Sequence, residues 1–406
     1  MIRNIVYYIT GHGLGHATRS LEIINAIILS TSSNSSNFNT NSSSSSSINT
    51  NSNSNNSQYK LYIVTAIDKS FFIKSLSNDY NISIDKINEI LVFDSRTLDS
   101  GAIQSDALTV NKHETLKTYH DNIHLNHTTL IEFETKWLIN NKIELALIDA
   151  TPLAVKASSI NNIKTILLTN FTWDFIYSEM IKNDSGLEEI YSDMIKEVSQ
   201  DYSYCTSYIQ YPGICPIINI PSTNCIEGPL VSRTSKKTRD DMRKQYNISA
   251  DKKVLLIGFG GHNFNFKNIT NDSYLSESWI CIVLGSNDMT NTEKFISVSY
   301  DCYVPDLLIM VDCVIGKVGY GFVSECLSAG CPLIYISRSN WSEENYLIQL
   351  LQTYNAGFEM TYNDFINGNW IECLDRALSI SCSWKLNDLH SKNGPEMILK
   401  QIESLL

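Results

Sequence analysis

The 406-residue sequence contains no run of eighteen or more apolar residues, which excludes an ordinary membrane-spanning helix. Its opening "MIRNIVYYIT" is too short and too soon interrupted for the apolar region of a secretory signal. Positive charge is scarce. Against 43 Asp and Glu stand 31 Lys and Arg, a net −12 at pH 7, which disfavours a polyanion-binding surface and nucleic acid as a partner while leaving room for a small basic pocket. No C-x-x-C pair occurs among the ten cysteines, all between Cys205 and Cys382 at irregular spacing. A structural zinc site needs such pairs and a disulfide framework needs a small secreted chain, so free, partly buried thiols and a cytoplasmic location are expected. Asp-x-Asp is absent as well; neither a metal nor a resident cofactor is expected. No lipidation motif or basic amphipathic helix is visible.

What is present is 43% apolar content in a chain too long for one ordinary core, which implies two domains. Residues 30–58 are almost wholly Ser, Asn and Thr, with only Phe38 and Ile48 apolar. Such a segment cannot bury enough surface to offset its ordering entropy and reads as a disordered insertion. With it removed, "IVYYI", the glycine turn, a helix and "KLYIVTA" make a βαβ unit with parallel pairing. Strands are expected at "EILVFD", "ELALIDA" and "KTILLTNF", with a long helical stretch at "HETLKTYHDNIHLNHTTLIEFETKWLINN". A second alternating set follows at "KKVLLIGFGG", "WICIVLG", "DCVIGKVGYG" and "CPLIYIS". The expected fold is α/β, two doubly wound Rossmann-like domains across a cleft. The first covers residues 1–234 and the second 235–384. The last stretch, 385–406, reads as a helix that returns to pack on the first domain.

Ligands of open parallel sheets bind beyond the strands' carboxyl ends, where helix N-termini offer free N–H groups. "GHGLGH" lies at such a place, and Gly11, Gly13 and Gly15 allow a tight turn and close approach of backbone to ligand. His16 stands where the next helix begins, and the positive end of the helix dipole favours the neutral ring, able to accept a proton. His12 lies earlier in the loop. Either histidine could instead only hydrogen-bond the turn. His120, His124 and His127 have helical ligand spacing, but they read as an exposed face. Asp149 closes "ELALIDA" and could orient a histidine, or cap the helix that follows. Asn170 and Asp174 invite the same reading more weakly.

In the second half, Gly260 and Gly261 follow a strand and could present N–H groups to a diphosphate. "GKVGYGFVSECLSAGCP" offers Lys317, Gly319 and Gly321 before a helix expected to start near Phe322 or Val323. Ser324 and Glu325 would then lie in its first turn, Glu325 suited to ribose hydroxyls. Glu343, Glu344 and Asn345 open the next helix toward the same rim.

Together these residues resemble a GT-B glycosyltransferase, in which an acceptor-side domain and a donor-binding domain enclose a nucleotide sugar. The first-loop histidine resembles that of plant UDP-glycosyltransferases, which implies His16 as general base and Asp149 as its assistant. "GYGFVSECLSAGCPLIYIS" resembles the donor signature, with Glu325 at the position of the ribose-binding acid. "YYITGHGLGHATR", "DSGAIQSDALTVN", "TNFTWDFIY", "YPGICP", "GKVGYGFVSE" and "GFEM" are similar to the glycosyltransferase-like N-terminal region of plant L-arabinokinase and its bacterial single-domain relatives. Nothing resembles the sugar-kinase half, so kinase activity is not implied. The resemblance implies a metal-independent transferase joining a sugar, as UDP-sugar, to an acceptor hydroxyl. A non-catalytic nucleotide-sugar-binding module is the alternative, followed by an epimerase or hydrolase.

Overall fold

The computed structural model describes residues 2–11, 13–33, 58–260, 269–285, 289–380 and 394–406. The chain begins with β1 (Ile2–Ile9), α1 (Leu14–Ser33), β2 (Gln58–Thr65), α2 (Lys69–Asn78), α3 (Ile84–Ile90) and β3 (Leu91–Ser95). A small hairpin, β4 (Gln104–Asp106) and β5 (Thr109–Val110), precedes α4 (Lys112–Asn122) and α5 (His127–Asn140). Then come β6 (Leu145–Asp149), α6 (Pro152–Ile160), β7 (Lys164–Thr169), α7 (Trp173–Ile181), α8 (Ser185–Tyr202), β8 (Ser207–Gln210) and β9 (Cys225–Glu227). Seven of these strands form a parallel sheet in the order β3-β2-β1-β6-β7-β8-β9.

The second half opens with α9 (Arg239–Gln245), β10 (Lys253–Gly258), β11 (Trp279–Leu284), β12 (Phe295–Val298), α10 (Val304–Leu308) and β13 (Cys313–Gly316). It continues with α11 (Tyr320–Ala329), β14 (Leu333–Tyr335), α12 (Glu343–Thr353), β15 (Gly357–Glu359), α13 (Tyr362–Asn367) and α14 (Ile371–Ser379). Its six strands are also parallel, in the order β12-β11-β10-β13-β14-β15. Every residue of β6, and of β10 after Lys253, is buried, as expected of strands covered on both faces by helices. The final helix α15 (Gly394–Leu405) packs on α1 and buries Ile398 and Ile402, one helical turn apart. Its end is held by Lys164 Nζ, which donates to the Leu405 carbonyl at 3.1 Å.

Both sheets reproduce the expected α/β pattern, with differences at the edges of elements. Residues 30–33 continue α1 and Gln58 begins β2, so the insertion is shorter at both ends than the composition suggests; the disorder expectation for residues 34–57 lies outside the described residues. The first two residues of "EILVFD" are helical, because Ser83 accepts from Lys86 N–H and starts a short helix that runs through Ile90. The long helical stretch breaks at 123–126, where the Asn126 amide donates to the Asp121 and Asn122 carbonyls and takes over helix-end acceptors. The hairpin and strands β8, β9, β12 and β15, each four residues or fewer, are additions that periodicity over so few residues could not show.

Candidate active site in the cleft

In each sheet the strand order reverses direction once, and the crevice beyond the carboxyl ends of those two strands is where ligands bind. In the first sheet these strands are β1 and β6, with Ile9 in register with Asp149. After β1 the chain turns through Gly13, and α1 begins two residues earlier than expected, so His16 falls in its first turn. Its Nδ1 lies 2.8 Å from Asp149 Oδ2. Asp149 is fully buried and also accepts from Arg19 Nη2. Burial pushes its carboxyl up, but the charges and hydrogen bonds of His16 and Arg19 more than offset this and hold it below the ordinary carboxylate range. An ionised carboxylate only accepts, so Nδ1 carries a proton toward it, and in the neutral ring Nε2 is then the nitrogen that can accept. Asp149 does not cap α6: Thr151 holds that position and no side chain bonds the helix end.

Two residues outside the sequence-based set hold this arrangement. Arg19, three residues beyond His16 on the same helix face, packs over the adjoining rings of Tyr211 at 4.9 Å and Tyr320 at 4.8 Å and donates to Asn170 Oδ1 at 3.3 Å. Asp99 accepts from the Thr10 hydroxyl at 2.9 Å and from the Thr151 hydroxyl at 3.1 Å. It therefore ties the end of β1 to the segment just past Asp149. Between Asp149 and Thr151, Ala150 takes the left-handed backbone conformation at φ 65°, a strained choice for a residue with a side chain. Burial raises the Asp99 carboxyl to about 6, with the two threonine hydroxyls pulling the other way.

In the second sheet the corresponding strands are β10 and β13, with Gly258 in register with Gly316. Past their ends stand Gly260, at φ 72°, and Lys317, whose stem crosses so close that a Cβ on Gly260 would lie 3.4 Å from its Cε. Lys317 makes no hydrogen bond or ion pair among the described residues. Burial, and then the Arg338 charge, bring its amine down to about 7, while Glu344, Glu343 and Asp106 act against that fall. Gly319 precedes α11, which begins at Tyr320 rather than Phe322. Gly321 thus sits inside the helix beside Gly15, whose Cα a Cβ on Gly321 would meet at 3.4 Å, an ordinary packing distance. The N-terminal turns of α1 and α11 face one another across the cleft.

Two cavities meet at Phe322. The smaller, about 170 Å³, brings together His16, Arg19, Lys317, Arg338, Gly319 and Glu343. The larger, about 440 Å³, lies between α2 of the first half and Leu284, Tyr300, Val304 and Glu325 of the second. Gly15, Gly260 and Gly321 border both, and Gly13 the smaller.

Several expected positions are placed differently. Glu325 and Ser324 lie in the second turn of α11; Glu325 Oε1 accepts from Arg233 Nε at 2.7 Å, and the Ser324 hydroxyl donates to the Gly321 carbonyl at 2.8 Å. Glu344 is taken up by Arg338, accepting from its Nε at 2.8 Å and its backbone N–H at 2.9 Å. Asn345 is exposed and borders neither cavity, since it stands on the outer face of α12. Asp174 is buried, accepting from Phe175 N–H, and Gly11 packs toward Ala66, away from both cavities. Asn170 reaches the cleft by donating to Glu343 Oε1 at 2.7 Å. His12 and Gly261 lie outside the described residues. His124 and His127 pair with Glu197 and Asp201 on α8, and none of the nine described cysteines is in a disulfide. A charged residue three positions after a candidate base was the available signal for Arg19; Asp99 and Arg338 carry no comparable pattern.

No protein-family model matches the chain. It is 31% identical over 377 residues to L-arabinokinase of Arabidopsis thaliana, a match covering 92% of this chain and 32% of that protein. The chain therefore spans about a third of that relative's length. It is 27% identical over 174 residues to a processive diacylglycerol beta-glucosyltransferase of Bacillus pumilus, covering 39% of this chain and 45% of that one. Among solved structures, the glycotransferase of kitacinnamycin superposes with a TM-score of 0.64 at 12% identity, covering 99% of both chains. The UDP-GlcNAc 2-epimerase from Neisseria meningitidis, bound to UDP-GlcNAc, gives 0.54 at 13% identity over 100% of both. The chain has the GT-B fold and is glycosyltransferase-like, similar in sequence to the N-terminal part of L-arabinokinase. No described helix is long and apolar enough to cross a membrane.

Proposed function

We propose that this GT-B-fold protein transfers a sugar from a nucleotide sugar, UDP-linked, to an acceptor hydroxyl without a metal ion. The observation that carries the proposal is the meeting, around one cavity, of a histidine oriented by a buried carboxylate and a half-buried lysine without a partner among the described residues. The first is suited to remove a proton and the second to receive an anion. The nucleoside occupies the larger cavity, with the second carboxylate oxygen of Glu325 toward the ribose. The diphosphate lies against Gly260, Lys317 and the N-terminal turn of α11, where backbone N–H groups and the helix dipole favour negative charge.

His16 Nε2 takes the acceptor hydroxyl's proton as its oxygen forms a bond to the anomeric carbon. The bond from that carbon to the diphosphate oxygen breaks, and its electron pair leaves with the nucleoside diphosphate beside Lys317. Asp149 keeps the ring in the productive tautomer and faces the imidazolium that forms. The relative from Bacillus pumilus, named a glucosyltransferase, supports glycosyl transfer, and the UDP-GlcNAc-bound neighbour of the same fold supports a uridine diphosphate donor. The test is a thermal-shift panel of UDP-glucose, UDP-galactose, UDP-arabinose and UDP-N-acetylglucosamine, followed by product analysis with the stabilising donor. Donor-dependent formation of a glycoside is expected. Stabilisation with neither transfer nor nucleotide release would replace this reading with a binding module.

A further inference from the structure

We infer that Tyr202 is a positioning residue for His16, acting through the turn that follows Asp149; its effect on turnover rests on the glycosyl-transfer reading, and its effect on the histidine ring does not. Only Ala150 and Thr151 lie between the end of β6 and the start of α6. Among the described residues, eight other than glycine take a positive φ: six asparagines, Lys142 and Ala150. The other seven are exposed, whereas Ala150 is fully buried. Asparagine tolerates the left-handed region because its side chain bonds locally. Alanine has no such compensation, so its surroundings must hold Ala150 there.

Two side chains do so. Asp99 holds Thr151 by accepting from its hydroxyl at 3.1 Å. Tyr202, fully buried at the end of α8, donates its hydroxyl proton to the Ala150 carbonyl. Burial pushes its phenol well above the ordinary tyrosine range, so that proton stays. The same oxygen accepts at 3.3 Å from the N–H of Trp173, the first helical residue of α7, where Thr172 in the cap position makes no side-chain bond. One hydroxyl thus joins the turn after β6 to the helix after β7, and the two strands are neighbours in the sheet.

The consequence for the site follows from how short the turn is. Asp149 shares a peptide with Ala150, and its carboxylate meets His16 Nδ1 at 2.8 Å. Without the hydroxyl, the Ala150 carbonyl loses its buried partner and nothing opposes relaxation of the residue toward negative φ. That rotation passes through the shared peptide to the end of β6 and loosens the contact that sets the ring tautomer. Arg19 still pairs with the Asp149 charge, so the loss is one of aim rather than of charge.

The test is a double-mutant cycle on the full-length protein with Tyr202→Phe and Ala150→Gly. Phenylalanine keeps the buried ring, and glycine takes a φ of 65° without strain. Nitrogen-15 shifts of the His16 ring in mildly alkaline solution report which nitrogen carries the proton. Tyr202→Phe is expected to move population from the Nδ1–H form to the Nε2–H form, and to lower kcat about tenfold with KM values changed less than about twofold. In the Ala150→Gly background the same replacement should cost less than about threefold, because the turn no longer needs holding. A tenfold loss there too would assign the effect to the freed Trp173 N–H and overturn the inference. An unchanged tautomer in Tyr202→Phe overturns it whatever the turnover. If Tyr202→Phe alone fails to fold, Ala150→Gly is compared with the double variant: equal tautomer populations support the inference and unequal ones overturn it. If no donor gives turnover, the nitrogen shifts decide alone, with support from an Nε2–H form that appears in Tyr202→Phe and recedes in the double variant.

Discussion

The two strand-order reversals occupy equivalent places in their sheets, yet their electrostatic states are opposite. At the first, Asp149 is ionised, buried and satisfied by His16 and Arg19, and Arg19 itself packs over two adjoining tyrosine rings. At the second, Lys317 stands without a partner among the described residues, with its amine brought down to about 7. A completed network holds a geometry for proton transfer, whereas an incomplete one keeps a charge site ready for an incoming anion. The fold supplies two similar crevices, and on the proposed reading side-chain pairing gives them different work.

The strongest way to break this contrast is to leave the first crevice incomplete too. Arg19→Met strips a buried carboxylate of its cation and is expected to cost about 3–5 kcal/mol in urea unfolding. Because the Asp149 carboxyl is lowered in the folded protein, its stabilisation is present above the ordinary carboxylate value and lost as pH falls through the folded one. In the variant that loss should begin at higher pH. Equal unfolding midpoints for the two proteins would remove Arg19 from the network.

Lys317→Met probes the other side, with an expected loss of about tenfold to a hundredfold in UDP affinity by calorimetry. Lys317 must be protonated to meet a diphosphate, so affinity of the unaltered protein should fall as pH rises above about 7. The variant should be flat there; an unchanged slope would assign it to another group. Asp99→Asn has a smaller expected effect. Its folded carboxyl is raised, so its contribution to stability is present at low pH and lost as pH rises through about 6. The isosteric amide should flatten the stability profile between about pH 4 and pH 6 by on the order of 1–2 kcal/mol. Least affected should be Lys74→Ala, which removes the exposed 3.0 Å pair with Asp301 between α2 and the second half and should change unfolding free energy by under about 0.5 kcal/mol. A large loss there would show that the halves depend on a surface tie rather than on the buried contacts around Arg19.

How much of this was readable in the sequence follows from the range of the forces involved. Strand, glycine turn and helix are local patterns, so the β1 turn, His16 and the strand-ending Asp149 could be found by periodicity. That Asp149 orients His16 instead of capping α6 depends on a pairing 133 residues apart, which no local pattern encodes. Glu325 was read as an unengaged first-turn acid because Arg233, 92 residues earlier, gives no sign in sequence of reaching it. Helix α11 begins before Gly321, and that glycine lies beside Gly15 across the cleft; a contact between halves cannot be distinguished from a turn by composition.

The most direct measurement is paired calorimetry and turnover on His16→Ala and Lys317→Met with the stabilising UDP-sugar. His16→Ala is expected to bind the donor like the unaltered protein while losing about 10²–10⁴-fold in turnover, and Lys317→Met to lose donor affinity first. Undiminished turnover by His16→Ala, or undiminished donor affinity in Lys317→Met, would contradict the division of work between the two crevices.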